Sequence, residues 1–184
     1  MLTRAESDEQ YKSLGQESLQ WLEKAQGLRY CAGLLKSHLS EIIKTPPLSR
    51  RIETLGVVNS TLLLLGLAFE NLIKGVKIAE SPKLVDRDRF DIKLWKRDDG
   101  GHGIRTLAKS LVTLTSDEEE LLDRLQESIL WAGRFPIPLT SGRYHDSHSP
   151  VNKHQLSTDD FDVADRLFDR LEKQLTKFRS KHTR

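Results

Sequence analysis

The residues best suited to chemistry in this chain are polar side chains in apolar surroundings. Glu70 falls in a helical pattern whose neighbours on the same face are apolar or small, namely Leu63, Gly66, Leu67 and Ile73. A carboxylate buried there needs a cationic partner, because an unpaired buried charge is very costly. Lys74, one helical turn further on, is placed to be that partner. The pattern predicts either a buried ion pair that fixes helix register or a functional pocket.

Three more residues join this candidate site. Asn71, beside Glu70, is also backed by apolar positions, and we predict a binding role for it. His102 stands in the sequence DDGGHG directly before a predicted helix, where an imidazole often acts as a cap or hydrogen-bond partner. Arg134 follows a helix in the sequence WAGRFPIP, on a turn stiffened by prolines. One arrangement of Glu70, His102 and Arg134 would satisfy three groups that are costly to leave unpaired.

A second group of candidate residues consists of three histidines in a predicted loop, His145, His148 and His154. Imidazoles are common zinc ligands, so these three side chains raise the possibility of a metal site. Zinc sites on proline-rich loops without a helix to fix the ligands are rare, however. The sequence also contains no P-loop, no HExxH motif and no nucleophile elbow. We therefore predict neither a metal nor a cofactor.

Helices must position these residues, because apolar side chains recur at intervals of three and four along most of the chain. The spacing predicts helices over about 7–44, 49–79, 103–113, 117–132 and 158–182, with Gly27 and Gly33 as potential kinks in the first. Ser116 and Glu119 form a predicted capping box, and Ser157 or Thr158 a predicted cap. The sequence therefore predicts a single all-α domain over residues 1–184, a helical bundle of about five helices with two long irregular connections.

Composition limits the class of protein. Of 184 residues, 37% are hydrophobic and 30% charged, which is typical of a soluble globular chain. The net charge of +2 argues against a strongly electrostatic nucleic-acid binder. The single cysteine excludes a disulfide framework. The apolar run TLLLLGLAF is shorter than the roughly 20 residues that span a bilayer, and no secretory signal is visible. We expect a cytoplasmic protein without a membrane partner.

Three short motifs within residues 50–140 resemble those of a group of small bacterial helical proteins. They are FENLIK at Phe69–Lys74, Gly101-His102 opening a helix with Leu107-Ala108-Lys109, and WxGRFP from Trp131. On these motifs the chain resembles the HEPN (higher eukaryotes and prokaryotes nucleotide-binding) superfamily. The resemblance implies an all-α bundle, often a homodimer. It also implies either an RNA-cleaving toxin or anti-phage effector, or an inactive partner of a nucleotidyltransferase.

The catalytic signature of that superfamily is an Arg followed a few residues later by a His. Arg97 with His102, and Arg143 with His148, match this signature, and both pairs fall in predicted loops. The resemblance then implies metal-independent RNA cleavage with the 2′-hydroxyl as nucleophile. The His would act as general acid or base and the Arg would stabilise phosphate charge, in a site shared across a dimer. An antitoxin or a nucleotidyltransferase is the implied protein partner.

A different class of function fits the same residues. In this alternative the chain is a non-catalytic helical interaction module, or binds a small anion, and its Glu70, His102 and Arg134 cluster is structural. The near-neutral net charge favours this alternative. The basic C-terminal end and the charged loops favour RNA, because local patches matter more than net charge.

Overall fold

The computed structural model of the protein describes residues 3–44, 51–86, 89–90, 102–134 and 156–182. These residues form six α-helices, which are α1 (Arg4–Gln16), α2 (Ser18–Lys44), α3 (Arg51–Glu80), α4 (Ile104–Lys109), α5 (Ser116–Glu127) and α6 (Thr158–His182). A 3₁₀ turn, Pro82–Leu84, follows α3, and a π-helical segment, Ser128–Ala132, continues α5. A short antiparallel pairing joins β1 (Val85–Asp86) to β2 (Arg89–Phe90). The predicted all-α fold is confirmed.

Helix α3 is the centre of the core. It packs along α2 and also contacts α4, α5, α6 and the π-helical segment. Its residues Phe69, Leu72 and Val76 are fully buried, and the Phe69 ring meets the edge of Phe168 on α6 at 5.8 Å between centroids. The span Ile52–Glu80 is also long enough to cross a membrane and contains an 18-residue window with a mean hydropathy of 1.7, a test that the core helix of a globular fold passes too. The buried residues of α3 lie from Thr61 onward, and 33% of that apolar window is buried.

The predicted first helix is two helices, and this boundary was wrong. Glu17 has an extended backbone that ends α1, and its carboxylate accepts a hydrogen bond from the backbone N–H of Leu19 at 3.1 Å, capping α2. A long-range contact lies beside this break. A Cβ added to Gly15 would lie only 2.7 Å from Cγ1 of Val85. The side-chain amide of Gln16 donates a hydrogen bond to the Val85 carbonyl at 2.8 Å. Gly27 and the other predicted kink site lie inside the continuous helix α2.

Capping interactions and ion pairs join the ends of α5 and α6. Thr115 and Glu118 form the capping box of α5, one residue earlier than predicted. The buried Glu118 carboxylate also forms an ion pair with Arg170 of α6 at 2.6 Å. Ser157 caps α6, as predicted, with Asp160 as its reciprocal partner. Burial raises the pKa of Asp160, but hydrogen bonds from Arg124 of α5 and from the Ser157 N–H outweigh burial and leave that pKa below its ordinary value.

Candidate functional site

The site is built around Glu70, which lies on the central helix α3 and is only 6% exposed. Both oxygens of its carboxylate have partners. Oε1 accepts a hydrogen bond from the Lys74 ammonium one turn along α3, and Oε2 lies 3.0 Å from Nδ1 of His102. We call these three residues the Glu70 cluster. The structure therefore brings together three of the residues singled out in the sequence, with the buried acid between two basic groups.

Helix α4 positions His102 against α3. Ile104 and Ala108, on the inner face of α4, are fully buried in the main core. The Ile104 N–H donates to the His102 carbonyl at 2.7 Å, which holds the backbone before the helix in a tight turn. Because the core fixes α4, the imidazole is anchored at its backbone as well as by the carboxylate. The ring is thus presented in a defined orientation rather than from a free loop.

The contact through Nδ1 determines what the imidazole can do. A carboxylate that accepts a hydrogen bond from Nδ1–H stabilises the neutral tautomer whose Nε2 is unprotonated. Among the described residues, Nε2 of His102 has no hydrogen-bond partner, and the side chain is 37% exposed. An imidazole held on one nitrogen by a buried acid and open on the other can accept a proton from a substrate and return it. This is the arrangement of a general base or acid.

Lys74 adds positive charge beside that imidazole. Its side chain is 20% exposed, so the ammonium is close to the surface while it contacts the buried carboxylate. The cluster holds one acid and two basic groups and is neutral when His102 is neutral. When His102 accepts a proton, the cluster carries one net positive charge. A hydroxyl that gives its proton to the imidazole and attacks a phosphodiester creates negative charge on the phosphate. The positive charge that the cluster gains at the same time would stabilise that negative charge.

Asn71 and Arg134 are not part of the Glu70 cluster. The Asn71 side chain donates to the Leu67 carbonyl at 2.7 Å and faces away toward α1 and α2. Arg134 is exposed and donates to the Leu130 carbonyl at 3.0 Å, so the suggested trio of Glu70, His102 and Arg134 is not formed. The reason is the end of the π-helical segment, where Gly133 packs against Leu63, two helical turns before Glu70 on α3.

The other predicted site residues lie outside the described part of the chain. They are Arg97, Arg143 and His148, so only the histidine of the first Arg–His pair is placed, and the pairing with arginine stays a prediction. The loop histidines His145 and His154 lie outside it as well. Within the described ranges, no three His, Cys, Asp or Glu side chains are grouped so that they could hold a metal ion.

A depression next to Asn71 was not expected from the sequence. It measures about 300 Å³ and is lined by Tyr11 and Leu14 of α1, Gln20, Trp21 and Lys24 of α2, and Asn71 of α3. We call it the α1–α3 depression. It exists because the chain breaks at Glu17 and turns α1 back toward α3. A continuous helix over 7–44 would have carried Tyr11 away from Asn71.

Comparison with protein-family models, with curated proteins and with solved structures found no match to this chain. The chemistry of the Glu70 cluster is therefore the basis on which a function is proposed.

Proposed function

We propose that the protein is an endoribonuclease of HEPN type, acting in a toxin or anti-phage defence setting, with His102 as its proton-transfer residue. The observation that carries this proposal is the contact between the buried Glu70 carboxylate and Nδ1 of His102, 3.0 Å apart, which leaves Nε2 for a substrate. The buried acid orients the ring and stabilises the imidazolium that forms during proton transfer.

RNA suits this site because it carries its own nucleophile. Nε2 of His102 accepts the proton of a 2′-hydroxyl, whose oxygen attacks the adjacent phosphorus. A bond from the 2′-oxygen to phosphorus forms as the bond to the 5′-oxygen breaks, leaving a cyclic phosphate and a free 5′-hydroxyl. The leaving oxygen takes a proton from water or from a second imidazole. Lys74 supplies positive charge near the phosphate, and the resemblance assigns a similar role to Arg97.

The resemblance to the HEPN superfamily extends the proposal to partners. A homodimer would place two copies of His102 near one another, and the second imidazole would then serve as the acid for the leaving oxygen. An antitoxin or a nucleotidyltransferase is the corresponding protein partner, and the proposed compartment is the cytoplasm. These features depend on the resemblance alone and are not needed for the proton-transfer role of His102.

Cleavage of a mixed RNA pool in EDTA buffer tests the proposal. We expect wild type to cleave and His102→Ala to lose about 100-fold or more in rate, which is typical of removing a general acid or base. His38→Ala is the matched control, since His38 on α2 also contacts a glutamate, Glu53, at 3.2 Å, but at the surface. His148→Ala tests the second Arg–His pair. Equal cleavage by His102→Ala and wild type would refute the role proposed for His102.

A non-catalytic role is the second candidate, and one observation favours it. The Glu70 carboxylate is buried with both oxygens satisfied, which is what a purely structural ion pair requires. In that case the protein is a helical interaction module or binds a small anion beside Lys74. It would then cleave no RNA although well folded, and His102→Ala would lower the melting temperature without changing any catalytic rate.

A further inference from the structure

The α1–α3 depression has the composition of a site for a flat aromatic ligand. Two of its walls are aromatic, Tyr11 from α1 and Trp21 from α2. Its volume of about 300 Å³ is at the lower end of the range of small-molecule sites, about 300–1,000 Å³. A ligand the size of one planar ring system matches a depression of this volume, whereas a helix or strand of another protein would need a longer groove.

The aromatic wall on α2 is held in place. The indole N–H of Trp21 donates to the Gly15 carbonyl at 3.0 Å, which ties α2 to the end of α1. Trp21 also packs against the small cluster formed by Ile78, Leu84 and Val85. A fixed ring loses little conformational freedom when a ligand stacks on it. Tyr11, by contrast, is 42% exposed on a helix without buried residues, so its ring is accessible from solvent.

Polar groups line the same depression. Asn71 uses its amide nitrogen on the Leu67 carbonyl, and its Oδ1 accepts no hydrogen bond from the described residues. Gln20 and Lys24 are the other polar residues of the lining, whose exposed surface is mainly apolar. Carboxamides can donate to and accept from the edge of a nucleobase, and an ammonium pairs with phosphate. Aromatic faces suit a stacked base, and the carboxamides and the lysine are polar residues that a nucleotide could contact.

Helix geometry places the depression next to the Glu70 cluster. At about 100° per residue, Lys74 lies about 40° around α3 from Glu70, and Asn71 lies about 100° around in the same sense. Lys74 is therefore between the cluster and the depression on the α3 surface, and it is one turn from Asn71. Because Lys74 and His102 both contact the Glu70 carboxylate, a nucleotide chain that crosses Lys74 would run toward the Glu70 cluster.

We propose that the α1–α3 depression binds one base of single-stranded RNA, stacked on Tyr11 and Trp21 and recognised at its edge by Asn71. This inference builds on the proposed function, because the same strand would present its scissile phosphodiester to His102. The site gives the ribonuclease a base preference at a nucleotide next to the cleavage point. Single-stranded RNA is the substrate class, because stacking requires a base that is not paired in a helix.

Binding of a fluorescent, single-stranded 2′-O-methyl RNA, which lacks the nucleophile, measures this site without cleavage. We expect Tyr11→Ala to raise the Kd about 5- to 100-fold, as for the loss of one base–aromatic stack. Tyr11→Trp should bind about as well as wild type, and Asn71→Ala should weaken binding and change the preferred base. Tyr30→Ala is the control, since Tyr30 is a more exposed tyrosine of α2 outside the depression. Tyr11→Ala is compatible with folding because α1 has no buried residue.

The results separate this site from the proposed catalysis. Wild-type affinity in both Tyr11→Ala and Asn71→Ala would overturn the base site, even if the protein cleaves RNA. A well-folded wild type that binds no RNA would overturn it too, as would an equal loss of affinity in Tyr30→Ala. Binding that depends on Tyr11, in a protein that cleaves no unmodified RNA, would support the base site and refute the endoribonuclease.

Discussion

Replacing Glu70 by Gln removes the negative charge that Lys74 and His102 share while preserving the shape of the side chain. No cavity is created, so the change in stability reports the charge interaction. Breaking a fully buried ion pair by removing one partner costs about 3–5 kcal/mol. Lys74 and His102 are 20% and 37% exposed and recover part of their hydration when the carboxylate is lost. We therefore expect a loss of about 2 kcal/mol in the free energy of unfolding, or about 4–8 °C in melting temperature for a protein of this size.

Thermal unfolding followed by circular dichroism at pH 7 measures this loss, and Glu80→Gln is its matched control. Glu80 is on the same helix and pairs with Lys77 at 3.0 Å, but its side chain is 42% exposed. Exposed pairs contribute about 0–1 kcal/mol, so this variant should unfold within about 4 °C of wild type. Equal melting temperatures for Glu70→Gln and Glu80→Gln would refute the energetic argument. A stable Glu70→Gln variant that no longer cleaves RNA would assign the carboxylate to catalysis alone.

Two further predictions concern stability. The pKa of Asp160 is lower in the folded state than its ordinary value of 3.8, so the pair with Arg124 stabilises the fold fully at pH values above 3.8. This stabilisation is lost as the pH falls through the pKa of the folded state. Asp160→Asn should therefore cost about 3 kcal/mol at pH 7 and progressively less below pH ~4 in urea titrations; a pH-independent cost would contradict this. Gly66→Ala should cost about 1–3 kcal/mol in the free energy of unfolding, because its Cβ would lie 2.8 Å from Ile129. A Cβ on Gly27 meets nothing within 4 Å, so Gly27→Ala should stabilise α2 by up to about 1 kcal/mol. The melting temperature should therefore fall in Gly66→Ala and rise in Gly27→Ala relative to wild type.

Local interactions account for what could be predicted from the sequence. The helices other than α1 are visible because each buries an apolar stripe, and a stripe at intervals of three and four depends only on residues within the same segment. The Lys74–Glu70 contact is equally local, since residues four apart on a helix face one another. The role of His102 as a partner could be inferred only from the cost of burying Glu70, because the two residues are far apart in the sequence.

Features that depend on distant packing could not be predicted in this way. The break at Glu17 lies beside the close approach of Val85 to Gly15, and neither residue carries a signal for it in the sequence. The π-helical segment after α5 has an ordinary helical pattern, yet it ends in the close contact of Gly133 with α3. That end determines the position of Arg134, so its pairing with Glu70 was a reasonable expectation that the packing does not allow.

The comparison of the two histidine–glutamate contacts in the described ranges shows why burial decides between a structural and a functional interpretation. His38 and Glu53 are both about half exposed, and water can replace either partner at little cost. Glu70 is buried while the imidazole that it holds reaches the surface. The difference in exposure leaves an oriented imidazole with one nitrogen available to a ligand, beside a lysine and a depression suited to a base. Each of these features has a structural explanation alone, but their proximity on one side of α3 is the reason to test this surface first for RNA.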